Sequence, residues 1–410
     1  MNCTVVQVGT NSLSTMFPDV TIENYVDGDL PYGGGWNVAL TNHLKQASDE
    51  FTYECWIMEK KAETPLAWER NGITFRLFPA TRLRYIGEWS RALLRQATQE
   101  SQKEILLTVH GLFNYTAFAL PLVTSRTPII IQHHGDLAAA QYARRAADRS
   151  KKIGYYMLDI ARGEWFFERV SLPKVDHFFT LTSEVEEYLS QFVRAETMQR
   201  LSMGVDLNTF FKIDRAEAIK ALGLDLNKRY VLYVGAMLPV KGIDYLIRAL
   251  PLILKHFPNT ILVLVGAGRL KTKLSELIKH LGIEDKVLLV PHNDADRYVG
   301  HDVLPLYYNA ADVFVLPSLL EGLSVVLLEA LACGTPIVTT TATHVIEQLG
   351  DGIIIPPKST GAIADGVISV LGDKYPRMVD REKLRRSYDW KHIAEKHLEV
   401  YANLFAKYYE

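Results

Sequence analysis

The chain has 410 residues, with 45 Lys and Arg against 47 Asp and Glu, a net charge of -2 and 48% hydrophobic residues. That length exceeds one ordinary hydrophobic core, so two domains of about 200 residues each are expected, and the charge balance argues against a general nucleic-acid binder. Three widely separated cysteines (Cys3, Cys55, Cys333), an opening MNCTVVQVG without a basic leader and no apolar run of about 18 residues argue against a disulfide framework, a secretory signal and a membrane span. The expectation is a cytoplasmic protein.

In chain order, strand-like apolar runs alternate with helix-like stretches, the pattern of a parallel sheet wrapped by helices. TVVQV opens the first half. A glycine-rich turn, PYGGGWN at 31 to 37, then leads into the helix-like WNVALTNHLKQA, and its backbone can approach a phosphate or sugar. A surface loop fits this turn as well. EILLTV and PIIIQ follow, ending in His110 and in His133-His134, where an imidazole suits contact with hydroxyls or developing charge; a turn histidine is the plain alternative for each. Arg144, Arg145, Arg149, Lys151 and Lys152, followed by IGYYMLDIARGEWFFERV, suggest weak peripheral contact of residues 144–170 with an anionic surface, against a solvated charged helix. HFFTLT is the fourth run of this half, and a Gly/Asp-broken junction follows at 201 to 214.

The second half opens like the first, with a strand ending in glycine: RYVLYV and Gly235, as TVVQV and Gly9. Lys241 comes just after it, at the mouth of the next helix, where a lysine can neutralise a phosphate; a helix-entry lysine is the alternative. NTILVLV, DKVLLV, DVFVL and PIVTT complete a second set of strands. VGAG at 265 to 268 is too short for a dinucleotide fingerprint. The two D-x-D triplets, Asp27-Gly28-Asp29 and Asp294-Ala295-Asp296, lie in polar surroundings, so no metal is expected.

The most informative stretch is EGLSVVLLEALACGTP, beginning at Glu321 directly after the strand VFVLPS. Glu321 falls in a strand-to-helix turn, where the amides of Gly322, Leu323 and Ser324 form a phosphate site at a helix N-terminus. Glu329 sits among apolar residues on a helix apolar all round, so it is buried and requires a partner. Eight residues of helix rise about 12 Å, so the two acids cannot act on one atom and instead suit two ends of one ligand with phosphate between them. A solvated turn residue for Glu321 and a buried ion pair for Glu329 stay open. DWKHIAEKHLEVYANLFAKYY closes the chain as a helix with no strand after it.

Through VGAMLPVKG, LVLVGAGRLKTKLSELIKHLG, the segment from ADVFVLPS to ALACGTP, and DGIIIPP, the second half resembles family 4 of the retaining glycosyltransferases. The first half resembles it more loosely, through the GGG loop, HHG, LTSEVEEYL and MGVDLNTF. The resemblance implies an α/β fold of the B type. Its two doubly wound parallel-sheet Rossmann-like domains face each other across a cleft, an acceptor-side domain at 1–206 and a nucleotide-sugar-binding domain at 207–387. A closing helix at 388–410 crosses back onto the first.

It further implies a metal-independent enzyme that retains anomeric configuration while moving a hexose-type sugar from a nucleoside diphosphate sugar to a glycan, lipid-linked or small-molecule hydroxyl. Glu321 would contact the donor sugar, Glu329 the ribose, and Lys241 with the amides of Leu323 and Ser324 the diphosphate. Gly34 and Gly35 would approach the phosphates and His134 the sugar, so that His134, Glu321 and Lys241 form the expected catalytic set. No cofactor is implied; with the charge balance, the cysteine usage and the 144–170 segment, no nucleic-acid partner is expected and the expected location is cytoplasmic, extending to the inner membrane face. Three departures stand out: Ala236 where the family usually has Arg, Thr343 to Glu347 in place of its Gly-Gly-x-x-Glu, and Met203 where Asn is common. They leave a second reading open, a non-catalytic or weakly active sugar-nucleotide-binding or scaffold protein on the same fold.

Overall fold

A computed structural model describes residues 3–10, 21–27, 36–83, 87–112, 114–124, 126–134, 165–290, 300, 302–321, 324–343, 352–372 and 381–410. Gly34, Gly35, Gly322, Leu323, most of the 144–170 segment and Asp294 to Asp296 lie outside the described residues. Chain contacts divide the protein into two units, Met1–Ser202 with Ile393–Glu410, and Met203–His392. The junctions fall four residues before and five residues after the expected 206/207 and 387/388. Val205 explains the offset: its N-H donates to the Tyr388 carbonyl at 2.7 Å and its own carbonyl accepts from Trp390 N-H at 3.3 Å, holding the 203–205 stretch in the second unit.

The first unit is built on β1 (Thr4–Gly9), β2 (Thr52–Glu59), β3 (Leu66–Arg70), β4 (Ile73–Pro79), β7 (Ile105–His110), β8 (Ile129–Gln132), β9 (His177–Thr180) and β10 (Met198–Arg200). A separate two-stranded ribbon, β5 (Thr81–Leu83) with β6 (Gly87–Trp89), follows β4. The main sheet runs β10-β9-β8-β7-β1-β2-β4-β3, parallel except where β3 pairs antiparallel with β4. Continuous Val, Ile and Leu runs make β7 and β8 buried along their whole length, as a sheet covered on both faces requires. β2 and β4 go beyond the four runs read from the first half. In β2 the acids that break the apolar pattern are matched by partners: Glu54 pairs with Arg76 at 2.8 Å and Glu59 accepts from Tyr25 Oη at 2.5 Å.

Registers set the level of the strand ends. Gly9 lies opposite His110, and His110 opposite Gln132, so β1, β7 and β8 finish side by side. The end of the closing helix α12 (Trp390–Tyr409) belongs to this unit from Ile393 onward. His397 and Tyr401 are fully buried, and Tyr409 Oη donates to the Ile105 carbonyl at 2.9 Å.

The second unit holds β11 (Arg229–Val234), β12 (Thr260–Val265), β13 (Val287–Val290), β14 (Val313–Leu316), β15 (Ile337–Thr340) and β16 (Ile353–Ile355), all parallel, in the order β13-β12-β11-β14-β15-β16. This is the strand order of a dinucleotide-binding Rossmann sheet, whose order reverses between β11 and β14. α6 (Ile243–His256) buries Ile243, Leu246, Ile247, Leu250 and Ile253, the three-and-four spacing of an amphipathic helix laid on a sheet. α8 (Leu304–Ala310) precedes β14 and α9 (Val325–Ala332) follows it.

Candidate functional site

Ligands of open α/β sheets bind beyond the carboxyl ends of the strands where the strand order reverses. In the second unit that point lies between β11 and β14, and the segments leaving these two strands carry Lys241 and Glu321. After β11 the chain makes a 3-10 turn, Pro239–Lys241, closed by Gly242 in the left-handed conformation (φ 62°). A Cβ at Gly242 would stand 2.3 Å from the Pro317 carbonyl oxygen, so only glycine fits this close approach of the two segments. Leu319 N-H donates to the Val240 carbonyl at 2.7 Å and locks them together.

The consequence is a direct ion pair, Lys241 Nζ to Glu321 Oε2 at 2.5 Å, with the side chains 20% and 11% exposed. Ser318 Oγ donates to the same carboxylate oxygen at 3.0 Å. Two residues read from the sequence as separate grips are thus each other's partner in this structure. Ala236, in the segment that leaves β11, is half-buried, its carbonyl accepting from Tyr233 Oη at 3.0 Å.

Glu329 is buried, as its apolar surroundings require, but its partner is neutral: Tyr308 Oη, from α8, donates to Oε2 at 2.7 Å. Among the described residues no cation pairs with it. Burial pushes the Glu329 carboxyl up to about 7, against the smaller opposing effect of the Tyr308 bond. One geometric expectation is corrected. The helix spans only Val325–Ala332, so Glu321 precedes it and a rise of eight helical residues does not describe the separation of the two acids. Ser324 is the buried residue before α9, in extended backbone, and its side chain makes no capping bond there.

The first unit has its own reversal point, between β1 and β7. His110 ends β7, while His133 and His134 follow β8. The structure buries His110 and His133 and leaves only His134 half-buried. His134 Nε2 lies 2.8 Å from His110 Nδ1. Among the described residues no group of three or more His, Cys, Asp or Glu is placed to hold a metal ion. Nor is any described helix long and apolar enough to cross a membrane.

Sequence reasoning missed Tyr308, Ser318, Gln7 and Tyr401. Ser318 stands three residues before Glu321 and was within reach of a local argument; the others come from elements 21 to 394 residues away from their partners.

Residues 214–388, which include Lys241, Glu321 and Glu329, match the family of Glycosyl transferases group 1. An uncharacterized glycosyltransferase of Methanocaldococcus jannaschii is 34% identical over 189 residues, 44% of this chain and 47% of that protein. The GDP-mannose-dependent alpha-(1-6)-phosphatidylinositol monomannoside mannosyltransferase of Mycolicibacterium smegmatis is 30% identical over 247 residues, 57% of this chain and 60% of that protein. The chain thus spans about half the length of these relatives. Sucrose-phosphate synthase from Thermosynechococcus elongatus superposes with a TM-score of 0.74 at 20% identity, over 99% of this chain and 100% of that one. The chain therefore has the two-Rossmann fold of the B-type glycosyltransferases, and its 214–388 segment resembles Glycosyl transferases group 1.

Proposed function

We propose that the protein is a retaining, metal-independent glycosyltransferase that moves a hexose-type sugar from a nucleoside diphosphate sugar to a hydroxyl of a glycan, lipid-linked or small-molecule acceptor. The observation that carries this reading is the Lys241–Glu321 pair at the reversal point of a Rossmann-ordered sheet. A diphosphate arriving there offers Lys241 a stronger anionic partner than one carboxylate. Lys241 then neutralises the phosphates, and Glu321, still oriented by Ser318, is released to accept hydrogen bonds from sugar hydroxyls. The same cation, with the backbone amides of Gly322, Leu323 and Ser324, stabilises the charge that grows on the departing diphosphate. Gly34 and Gly35 belong to the phosphate side in this reading, and His134 to the sugar side.

Glu329 completes the donor contacts. A carboxyl buried against one tyrosine has acceptor capacity left for ribose hydroxyls, and their hydrogen bonds favour its charged form. Transfer from this donor class is in keeping with the 30% identical relative named as GDP-mannose-dependent. The direct test presents UDP-, GDP- and ADP-sugars to the full chain with and without chelator and reads nucleotide release. Release from at least one donor, unchanged by chelator, is expected; release from none refutes the transferase, and chelator-sensitive release refutes the metal-free step.

A weak peripheral contact with an anionic membrane surface belongs to the same reading, with the protein cytoplasmic and at the inner face. Its support is the exposure of Trp165 (60%) and Phe166 (46%) at the end of the 144–170 segment. Co-sedimentation with anionic liposomes that survives replacement of both residues, and of Arg144, Arg145, Lys151 and Lys152, would overturn it.

A further inference from the structure

At the reversal point of the first unit's sheet, β1, β7 and α12 bring Gln7, His110 and Tyr401 into one hydrogen-bonded line that ends on His134. Tyr401 Oη accepts from Gln7 Nε2 at 2.9 Å and from Thr108 Oγ1 at 3.2 Å. Gln7 Oε1 lies 2.8 Å from His110 Nε2, and His110 Nδ1 lies 2.8 Å from His134 Nε2, with the two rings 19° from parallel. Gln7, Thr108 and Tyr401 are fully buried and His110 is nearly so.

The order of hydrogens along this line follows from valence. A carboxamide oxygen only accepts, so His110 Nε2 carries a hydrogen. Burial, then the nearby His134 and His397 rings, hold the His110 pKa well below the ordinary histidine value, so the ring is neutral and its Nδ1 is bare. A bare nitrogen only accepts, so the hydrogen in the His110–His134 contact sits on His134 Nε2. The tautomer of His134 is thereby dictated from the interior of the unit. Thr10 Oγ1 donates to the His110 carbonyl and fixes the backbone under the ring. The buried histidine of α12, His397, spends its Nδ1 on the Ile393 carbonyl at 2.8 Å, and its Nε2 lies 3.0 Å from the Gln132 carboxamide. It takes no part in the line.

We propose that Gln7 and His110 are positioning residues for His134, holding its ring plane and its hydrogen in one arrangement before the donor sugar arrives. The proposal rests on the reading of His134 as a sugar-side residue. A ring fixed beforehand gives up less freedom on binding and makes its contact at full strength when the bond breaks, so the benefit falls on turnover more than on donor affinity.

The test combines spectroscopy with a mutant cycle on the full chain. In nitrogen-15 histidine-labelled protein at neutral pH, His134 is expected as the Nε2-H tautomer in the wild type and as a mixture in His110→Phe. Gln7→Met, which keeps the volume, is expected to show the same mixture and guards against misfolding of the larger substitution. With UDP-glucose and GDP-mannose as donor probes, His110→Phe is expected to lower kcat about tenfold while moving KM by less than about threefold. It should add nothing in a His134→Ala background, whereas a purely structural role gives additive losses. An unchanged His134 tautomer in both variants, or additive losses in the cycle, overturns the proposal. Wild-type release by His134→Ala overturns the sugar-side reading itself, and the tautomer measurement, which needs no donor, tells the two failures apart.

Discussion

Glu329→Gln separates what the buried acid does for ligand binding from what it does to stability. In the folded chain this carboxyl is buried and its pKa is pushed up to about 7 from 4.5. Between those values the folded chain holds a proton that the unfolded chain has released, so stability falls as pH rises through the window and levels off above about 7. Across the interval from 4.5 to about 7, at about 1.4 kcal/mol per pH unit, the loss amounts to about 3 kcal/mol. Glutamine stays neutral and keeps an oxygen for the Tyr308 hydroxyl, so the variant avoids that loss. Urea unfolding from about pH 4 to about pH 8 should show equal stability at the acid end and a variant more stable by up to about 3 kcal/mol at the alkaline end. The same variant should bind nucleoside diphosphate about tenfold more weakly at alkaline pH, because a charged acceptor for the ribose is gone. A stability difference between wild type and variant that does not change with pH would show that the buried Glu329 carboxyl does not hold a raised pKa.

Lys241→Ala leaves Glu321 without its cation and removes the charge proposed to meet the leaving diphosphate; nucleotide release should drop by about a hundredfold, measured under saturating donor. Gly242→Ala forces a Cβ against the Pro317 carbonyl in left-handed backbone, and calorimetry should show a loss of about 1 to 3 kcal/mol together with weaker donor binding. Ala236→Arg adds a second cation after β11, and titration with UDP or GDP should tighten about tenfold; a large gain in transfer from a barely active wild type would favour the weakened-enzyme end of the sequence reading.

How much of this was legible in the sequence depends on distance along the chain. The strand runs of the second half and the buried helix around Glu329 declare themselves because pattern and burial are local properties. β2 was hidden because Glu54 and Glu59 break its apolar run, and the residues that make them acceptable inside a sheet, Arg76 and Tyr25, come from elsewhere. The same holds at the site. Glu321, Lys241 and Glu329 could be singled out one at a time from the elements they follow, but a pairing between residues 80 apart, or the tyrosine that faces Glu329, exists only once α8, β11 and β14 are side by side. Of the three strand-end histidines, burial rather than position decides which remains half-open to solvent.

In the proposed reaction Lys241, Glu321 and Glu329 hold the nucleoside diphosphate part of a sugar donor. Calorimetric titration of the full chain with UDP-glucose and GDP-mannose, repeated on Lys241→Ala and Glu329→Ala, tests it most directly. Saturable binding of at least one donor, weakened about tenfold or more by each substitution, is expected. No binding of either donor, or binding that neither substitution alters, would contradict it.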